Sequence, residues 1–356
     1  MNQRVTLKDV AAELAISANT VSRALAGKEA VSPETRQLIH ETAARMGYVP
    51  NIMARSLVLG RAMTMGLVIT NPSNPFYASL ISAIESRCRD NGYSLLLLAT
   101  EENPDNEEQA VEQLLRWGVG AAMAVPVQQG SDSWRRLANS RIPLTLINRD
   151  LEDLECDFIG IDYERGAYHA ASYLAERTSG SLHILEEDLD ISTVNSRIAG
   201  FKTAAKEHGF SSDSTSVIRV PTRRRDSDVL PWRPEEAHRA TRVLIPELAP
   251  GSSLMVGNDY FALGVYRALA EAGLRVPEDV SVMGHGDHPF AAYMQPALTS
   301  VSLPAAQIGT DAVDLLLERL AAPLDLGVAR KKLLEATLMV RDSTRLLPDD
   351  PLRRET

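Results

Sequence analysis

Asn19 and Arg23 stand one helical turn apart in Ser17-Ala18-Asn19-Thr20-Val21-Ser22-Arg23-Ala24-Leu25. A carboxamide can pair with adenine through two hydrogen bonds, and a guanidinium can grip guanine in the same way. Ala18, beside them, can offer only an apolar contact, such as one to a thymine methyl. That chemistry works only if a helix carries its first exposed turn into a groove, so the surrounding elements matter. Thr6 and Asp9 make a capping box, an oxygen-bearing cap followed three positions on by an acid. Leu7, Val10, Ala11 and Leu14 then recur at helical spacing as one buried stripe. Ser17 can cap a second helix whose Val21, Ala24 and Leu25 face inward. Two short helices on a tight turn match a helix-turn-helix, whose second helix enters the major groove by its N-terminus. A third helix opens at Ser32-Pro33-Glu34-Thr35, with a cap, a proline in the first turn and an early acid. Leu38, Ile39, Ala43 and Met46 are expected to close a three-helix core. Pattern alone also allows three ordinary helices of an α-helical cap.

These residues closely resemble the LacI/GalR (lactose-repressor-type) family of bacterial transcription regulators. The resemblance rests on Val5-Thr6-Leu7-Lys8-Asp9-Val10-Ala11, Asn19-Thr20-Val21-Ser22-Arg23-Ala24-Leu25, Val31-Ser32-Pro33-Glu34-Thr35-Arg36, Gly47-Tyr48-Val49-Pro50-Asn51 and Ala54-Arg55-Ser56-Leu57, spaced without a gap. It implies that Ala18, Asn19 and Arg23 face bases, while Thr6, Ser17, Thr20 and Ser22 hold phosphates. Phosphate contacts fix register and base contacts specify. Residues 51–57 gain a role as well. Asn51 can cap, and Met53, Ala54 and Leu57 follow at helical spacing, but a helix of about two turns is marginal alone. In the family this hinge helix pairs with its twin in the minor groove. Here Leu57 would wedge between base steps, with Ala54 on the groove floor and Arg55 close to the backbone. Such a wedge kinks the duplex, at a cost of a few kcal/mol recovered in extra contact. Taken without the resemblance, Leu57 is a linker residue packed on the next domain.

Charge is divided along the chain. Residues 1–61 carry eight Lys/Arg against five acids, a net of +3, whereas the 356-residue chain stands at −10, leaving −13 for the remainder. A basic head on an acidic body directs nucleic acid to one end. The length exceeds one ordinary core, so two or three units are expected, and 44% hydrophobic residues suit a globular protein. No apolar run reaches the roughly 18–20 residues that span a bilayer, so no membrane partner is expected. The polar and charged opening residues lead directly into the first helix, so no secretory peptide is expected. Cys88 and Cys156 are expected to be packing residues in a reducing compartment, which makes the cytoplasm the expected location.

From residue 65 onwards, short apolar runs alternate with helical segments. Strands are expected at 66–70, 94–100, 121–125, 144–147, 158–161, 182–185, 254–256 and 280–283. Helices are expected between them at 76–91, 107–117, 166–177, 197–208, 234–245 and 262–272. Apolar strands alternating with helices imply parallel sheets covered on both faces, an α/β architecture. The resemblance continues through Gly66-Leu67-Val68-Ile69, Asn71-Pro72-Ser73-Asn74-Pro75-Phe76, Asn258-Asp259 with Ala262-Leu263-Gly264, and Pro296-Ala297-Leu298-Thr299-Ser300-Val301. It implies a two-lobed, periplasmic-binding-protein-like core that the chain crosses three times, expected near 162, 290 and 325. The resulting division is a helix-turn-helix head at 1–49, a hinge helix and linker at 50–61, a core at 62–342 and a tail at 343–356. Within the core, 62–161 and 291–324 form the N-terminal lobe, and 162–290 and 325–342 the C-terminal lobe.

Ligands of parallel sheets sit beyond the carboxyl ends of the strands, here in the cleft between lobes. The family's pocket positions correspond to Asn74 and Phe76 after the first strand, Asn148 after 144–147, then Arg197, Trp232 and Asn258. Each could instead be a capping or solvated loop residue. One departure matters. After Val280-Ser281-Val282-Met283-Gly284, relatives carry an aromatic residue and two aspartates, the first a ligand contact, but this chain reads His285-Gly286-Asp287-His288. The carboxylate handle for a monosaccharide is thus missing or moved to Asp287. Two charged runs lie nearby: Glu186-Glu187-Asp188-Leu189-Asp190, expected as a solvated face, and Arg223-Arg224-Arg225.

His285 and His288 with Asp287 could ligate a metal, but no further ligand clusters with them in sequence. Phosphate-loop and nucleophile-elbow patterns are absent, so no cofactor and no enzymatic activity are expected. The expectation is a homodimeric transcription regulator, a repressor in sense, reading a near-palindromic DNA operator under control of a small effector. A sugar or sugar derivative is the first expectation for that effector; a non-sugar effector, or none, is the alternative. A sugar-binding transport protein of the same fold would not need the DNA head. A nucleoid-type DNA binder with a ligand-blind core would account for the missing aspartate.

Overall fold

The computed structural model describes residues 5–25, 31–48, 62–222, 233–322 and 328–347. The chain divides after Met63 into a small N-terminal unit and a large one. In the small unit, α1 (Leu7–Glu13) starts at Thr6, whose hydroxyl accepts from Asp9 N while the Asp9 carboxylate accepts from Thr6 N at 2.8 Å. Ala15 turns the chain at φ +50°. Ser17 Oγ then accepts from Thr20 N at 3.0 Å and starts α2 (Ala18–Leu25). α3 (Pro33–Arg45) begins under a Ser32 cap, with Pro33 where no amide donor is needed. Val10, Ala11, Val21, Ala24, Val31, Ile39 and Ala43 form the core of this unit. Leu38, expected in that core, is 52% exposed. The inward stripe of α3 runs through Ile39, Ala43 and Met46, and Leu38 lies on its flank.

The large unit holds two six-stranded sheets. The first runs β2 (Ser94–Ala99), β1 (Thr64–Ile69), β3 (Ala121–Ala124), β4 (Leu144–Ile147), β5 (Asp157–Ile161) and β11 (Lys331–Leu334), all parallel. The second runs β7 (Thr215–Val220), β6 (Leu182–Glu187), β8 (Ser252–Val256), β9 (Val280–Gly286), β10 (Thr299–Ser302) and β12 (Thr337–Met339), with β12 antiparallel. Helices α4 (Pro75–Asp90), α5 (Pro104–Trp117), α6 (Asp132–Asn139) and α11 (Ala305–Ala321) accompany the first sheet. Helices α7 (Tyr163–Ala175), α8 (Ser192–Glu207), α9 (Pro234–Leu244) and α10 (Asp259–Glu271) accompany the second. Covered on both faces, β3, β4, β5 and β8 are buried at every residue. Leu114, Trp134, Leu146 and Phe158 pack in the first lobe; Leu254, Phe261 and Val282, with Leu174, Ile184 and Phe201, pack in the second. Cys88 and Cys156 are buried, and burial pushes both thiols up to about 12, so they serve packing.

The chain passes between lobes at Asp162, at Leu303-Pro304 and at Glu335-Ala336. The boundaries expected near 290 and 325 therefore move. After β9 the chain makes one turn at Ala291–Tyr293 and returns to pair β10 with β9, from Thr299 against Met283 to Ser302 against Gly286. Residues 291–302 thus stay in the second lobe. α11 then packs on α4, and Arg319 holds the first lobe's Asp157 at 2.7 and 2.8 Å. The tail expected from 343 also begins later: Ser343 donates to Val282 O and accepts from Thr299 N, and Arg345 N donates to Ser281 Oγ. Among the described residues, no helix is long and apolar enough to cross a membrane.

Candidate functional site

On the head, Asn19 and Arg23 are exposed on one face of α2, with Ala18, Thr20 and Ser22 half-buried beside them. Burial of Val21 and Ala24 on the inner face orients the polar pair outward. Ser17 and Thr20 share a 2.8 Å hydroxyl hydrogen bond at the start of α2, and Thr6 is exposed at the start of α1. Asn51, Ala54, Arg55 and Leu57 lie outside the described residues.

A cavity of about 80 Å³ lies between the two sheets, beyond the carboxyl ends of their strands. That is well below the roughly 300–1,000 Å³ of typical ligand clefts. Asn74, Phe76, Asn148 and Arg149 line it from the first lobe; Tyr163, Arg197, Asn258, His285 and His288 line it from the second. Asn74 and Asn258 serve twice. Asn74 Oδ1 accepts from Phe76 N at 2.9 Å and caps α4, and Asn258 Oδ1 accepts from Tyr260 N at 3.0 Å and caps α10. Capping fixes each side chain and leaves its amide NH2 as the part that can serve a ligand. Asn148 sits at φ +64°, a left-handed conformation asparagine tolerates, and its Oδ1 accepts from Tyr163 OH at 2.8 Å. Phe76 packs edge-on against Tyr77, with ring centroids 5.2 Å apart.

Arg197 is already held inside its own lobe. Its Nε and Nη2 donate to the two carboxylate oxygens of fully buried Glu186 at 2.6 and 2.8 Å. Glu186, expected on a solvated face, is instead the counter-ion that a buried guanidinium requires. Burial works against the charge on Arg197, but Glu186, with Glu187 beyond it, outweighs burial and holds the group more basic than usual. Arg149 mirrors this in the first lobe, donating to Glu102 at 2.8 and 2.7 Å. Neither Arg149 nor Glu102 was found from sequence; the available signal was an arginine directly after a buried strand end.

Asp287 does not line the cavity. It sits at φ +48°, and its carboxylate turns to Arg341 at 2.7 Å. Asp259 holds this loop, accepting from His288 N at 2.6 Å and from Ser300 Oγ at 2.7 Å. Burial raises its pKa to about 6 against those two bonds. His285 and His288, weighed in sequence only as metal ligands, are wall residues of the cavity. Among the described residues, no three His, Cys, Asp or Glu side chains cluster as a metal-binding set. Trp232 lies outside the described residues.

Residues 161–344, more than half of the chain, match the periplasmic binding protein-like domain, and residues 6–51 match the bacterial regulatory proteins of the lacI family. The chain belongs to the lacI family. It is 28% identical to the HTH-type transcriptional repressor PurR of Pasteurella multocida, over 88% of this chain and 92% of that one. It is 27% identical to the ribose operon repressor of Haemophilus influenzae, over 95% and 98%. The lac repressor dimer bound to operator and the anti-inducer ONPF shares the fold, with a TM-score of 0.82 at 22% identity, over 96% of this chain and 99% of that one. A LacI family regulator from Enterococcus faecium with bound ribose gives 0.68 at 24% identity, over 80% and 99%. Within this lacI-family frame, Gly286 has φ +121°, and a Cβ there would fall 2.8 Å from Cε1 of His288.

Proposed function

We propose that this lacI-family chain is a sequence-specific transcriptional repressor whose hold on its operator is set by a small molecule bound between the lobes. One observation carries the reading. An exposed amide–guanidinium pair on the second helix of a capped three-helix head shares a chain with a core whose two sheets flank a cavity lined by polar and apolar side chains. Asn19 and Arg23 read base edges, Ala18 adds an apolar contact, and Thr6, Ser17, Thr20 and Ser22 hold phosphates. Two copies act as a homodimer in the cytoplasm, setting their heads on half-sites of a near-palindrome about one helical turn or a multiple apart. The hinge at 50–61 enters the minor groove between them, with Asn51, Ala54, Arg55 and Leu57 as its contacts. Asn74, Phe76, Asn148, Arg197 and Asn258 contact the effector.

The ribose operon repressor and the ribose-bound Enterococcus structure favour a sugar or sugar derivative as that effector. A non-sugar effector is the second reading, favoured by the Asp287 carboxylate turning to Arg341 and away from the cavity. Selection from a random duplex library tests the DNA half. Wild-type protein is expected to enrich a near-palindrome. Asn19→Ala or Arg23→Ala is expected to relax one base pair per half-site, at a cost of about 1–3 kcal/mol. Uniform weakening on every single-base variant, in both mutants, would sink it.

A further inference from the structure

Three ring nitrogens at the cavity have no hydrogen-bond partner among the described residues: Nδ1 and Nε2 of His285, and Nε2 of His288. Both histidines are buried, at 3% and 4% exposure, and both line the cavity. Native folds keep few buried polar atoms without partners, and each one invites a reason. The two histidine rings are also held in place. His285 lies against Tyr163 with centroids 5.8 Å apart, and His288 packs beside Tyr260 and Phe290 at 5.5 and 5.9 Å. Asp259 fixes the backbone beneath by accepting from His288 N.

Gly286 makes room for this arrangement. A Cβ at 286 would lie 2.8 Å from Cε1 and 3.1 Å from Nδ1 of His288, and φ +121° is a conformation that L side chains rarely adopt. A side chain at 286 and the imidazole at 288 compete for one space.

Charge narrows what these nitrogens can bind. Each arginine of the cavity is neutralised in place, Arg197 by Glu186 and Arg149 by Glu102, and Glu187 adds another acid to the wall. An adjoining recess of about 590 Å³ is lined by Glu101, Glu102, Asp188 and Asp190 and, among the described residues, by no basic side chain. Burial, with Arg197 and His288 nearby, keeps His285 neutral, and burial holds His288 down at about 4. A neutral imidazole offers one donor and one acceptor.

We propose that His285 and His288 are the specificity-determining pair of the cleft, selecting an uncharged ligand that presents hydrogen-bond donors and acceptors side by side, over phosphates and carboxylates. This rests on the cleft being the effector site. The test uses the full-length protein with ribose, cellobiose and adenosine as probes, each beside phosphorylated and carboxylated counterparts, read by melting temperature and titration calorimetry. At least one uncharged probe is expected to bind more tightly than its charged counterparts. His285→Phe and His288→Phe are each expected to weaken it at least about tenfold, with His285→Gln recovering part of the loss. His285→Phe keeps the ring against Tyr163 and removes both nitrogens, so the ligand-free variant is expected to melt no lower than wild type. A charged probe binding best, or unchanged affinity in His285→Phe, overturns the proposal while leaving an effector-controlled repressor intact. A lower melting temperature in ligand-free His285→Phe assigns the nitrogens to the fold and also overturns it. If no probe alters melting or operator binding, the proposal falls together with the effector half of the proposed function.

Discussion

Arg197, with 6% of its side chain exposed, keeps its charge in the second lobe because both oxygens of Glu186 face it. Such a pair adds little beyond what an apolar pair of the same shape would, but breaking it strands a buried charge. Glu186→Gln is therefore expected to destabilise the protein by about 3–5 kcal/mol, read from urea unfolding. A loss under about 1 kcal/mol would mean that water or a rearranged acid reaches Arg197. The loop facing this pair has its own pH dependence. Burial lowers His288 from 6.5 to about 4, so as pH falls through that window the unfolded chain takes up a proton that the folded chain refuses, and stability declines. The size of that effect is on the order of 3 kcal/mol. Asp259 works the other way. Its pKa is raised from 3.8 to about 6, so its contribution is full below 3.8 and is lost as pH rises through 6. His285 is depressed too and tips the balance. Stability is expected to fall from about pH 6.5 to about pH 4, less steeply in His288→Phe and more steeply in Asp259→Asn. Equal slopes in all three proteins would contradict these environments.

The starts of the head helices, which carry capping side chains, were legible in the sequence, whereas the capped starts of α5, α7 and α10 were placed three residues late. Thr6, Ser17 and Ser32 start the head helices where their spacing indicated, and the apolar run at 144–147 is β4 without adjustment. Apart from β2, expected at 94–100, the strands at sheet margins were missed. β7 reads Thr-Ser-Val-Ile-Arg-Val and β11 Lys-Lys-Leu-Leu, polar enough to pass for loops because an edge strand leaves one side uncovered. β10 was missed for another reason. It is interior yet reads Thr-Ser-Val-Ser, and Ser343, Thr344 and Asp259 satisfy its polar groups. Without β10 and β11 the second and third crossings were misplaced. Asn74, Phe76, Asn148, Arg197 and Asn258 line the cleft the sequence pointed to, but the acids that hold its arginines were not found. Glu186 and Arg197 stand 11 positions apart and Glu102 and Arg149 stand 47 apart, so neither pair leaves a local pattern. Gln128 was equally hidden. From the first lobe, its Oε1 accepts from Ser192 N at 2.9 Å and its Nε2 donates to Ser192 Oγ at 3.0 Å, giving α8 the cap it lacks in its own lobe. Gln128→Ala is expected to loosen closure and speed amide exchange in the first turn of α8 by about tenfold. Unchanged exchange there would show that the lobes close without this latch.

At the scale of the whole molecule, the proposed DNA contacts lie before residue 63 and the proposed ligand contacts after it. Net charge follows the same division, +3 in residues 1–61 against −13 in the remainder, which favours DNA at the first segment and disfavours it at the second. Two sites on separate units can influence each other only through a shared free energy, and that energy must act equally in both directions. If a ligand found in the melting screen changes operator affinity about 5–150-fold, saturating operator must change affinity for that ligand by the same factor. Two titrations of the full-length protein measure this: operator with and without ligand, and ligand with and without operator. Equal factors different from one are expected. The direction tells inducer from corepressor, because a ligand that releases DNA is itself released by DNA. Factors of one in both titrations would mean that the lobes close over their cargo with no consequence for the head, leaving a DNA binder with an independent ligand site.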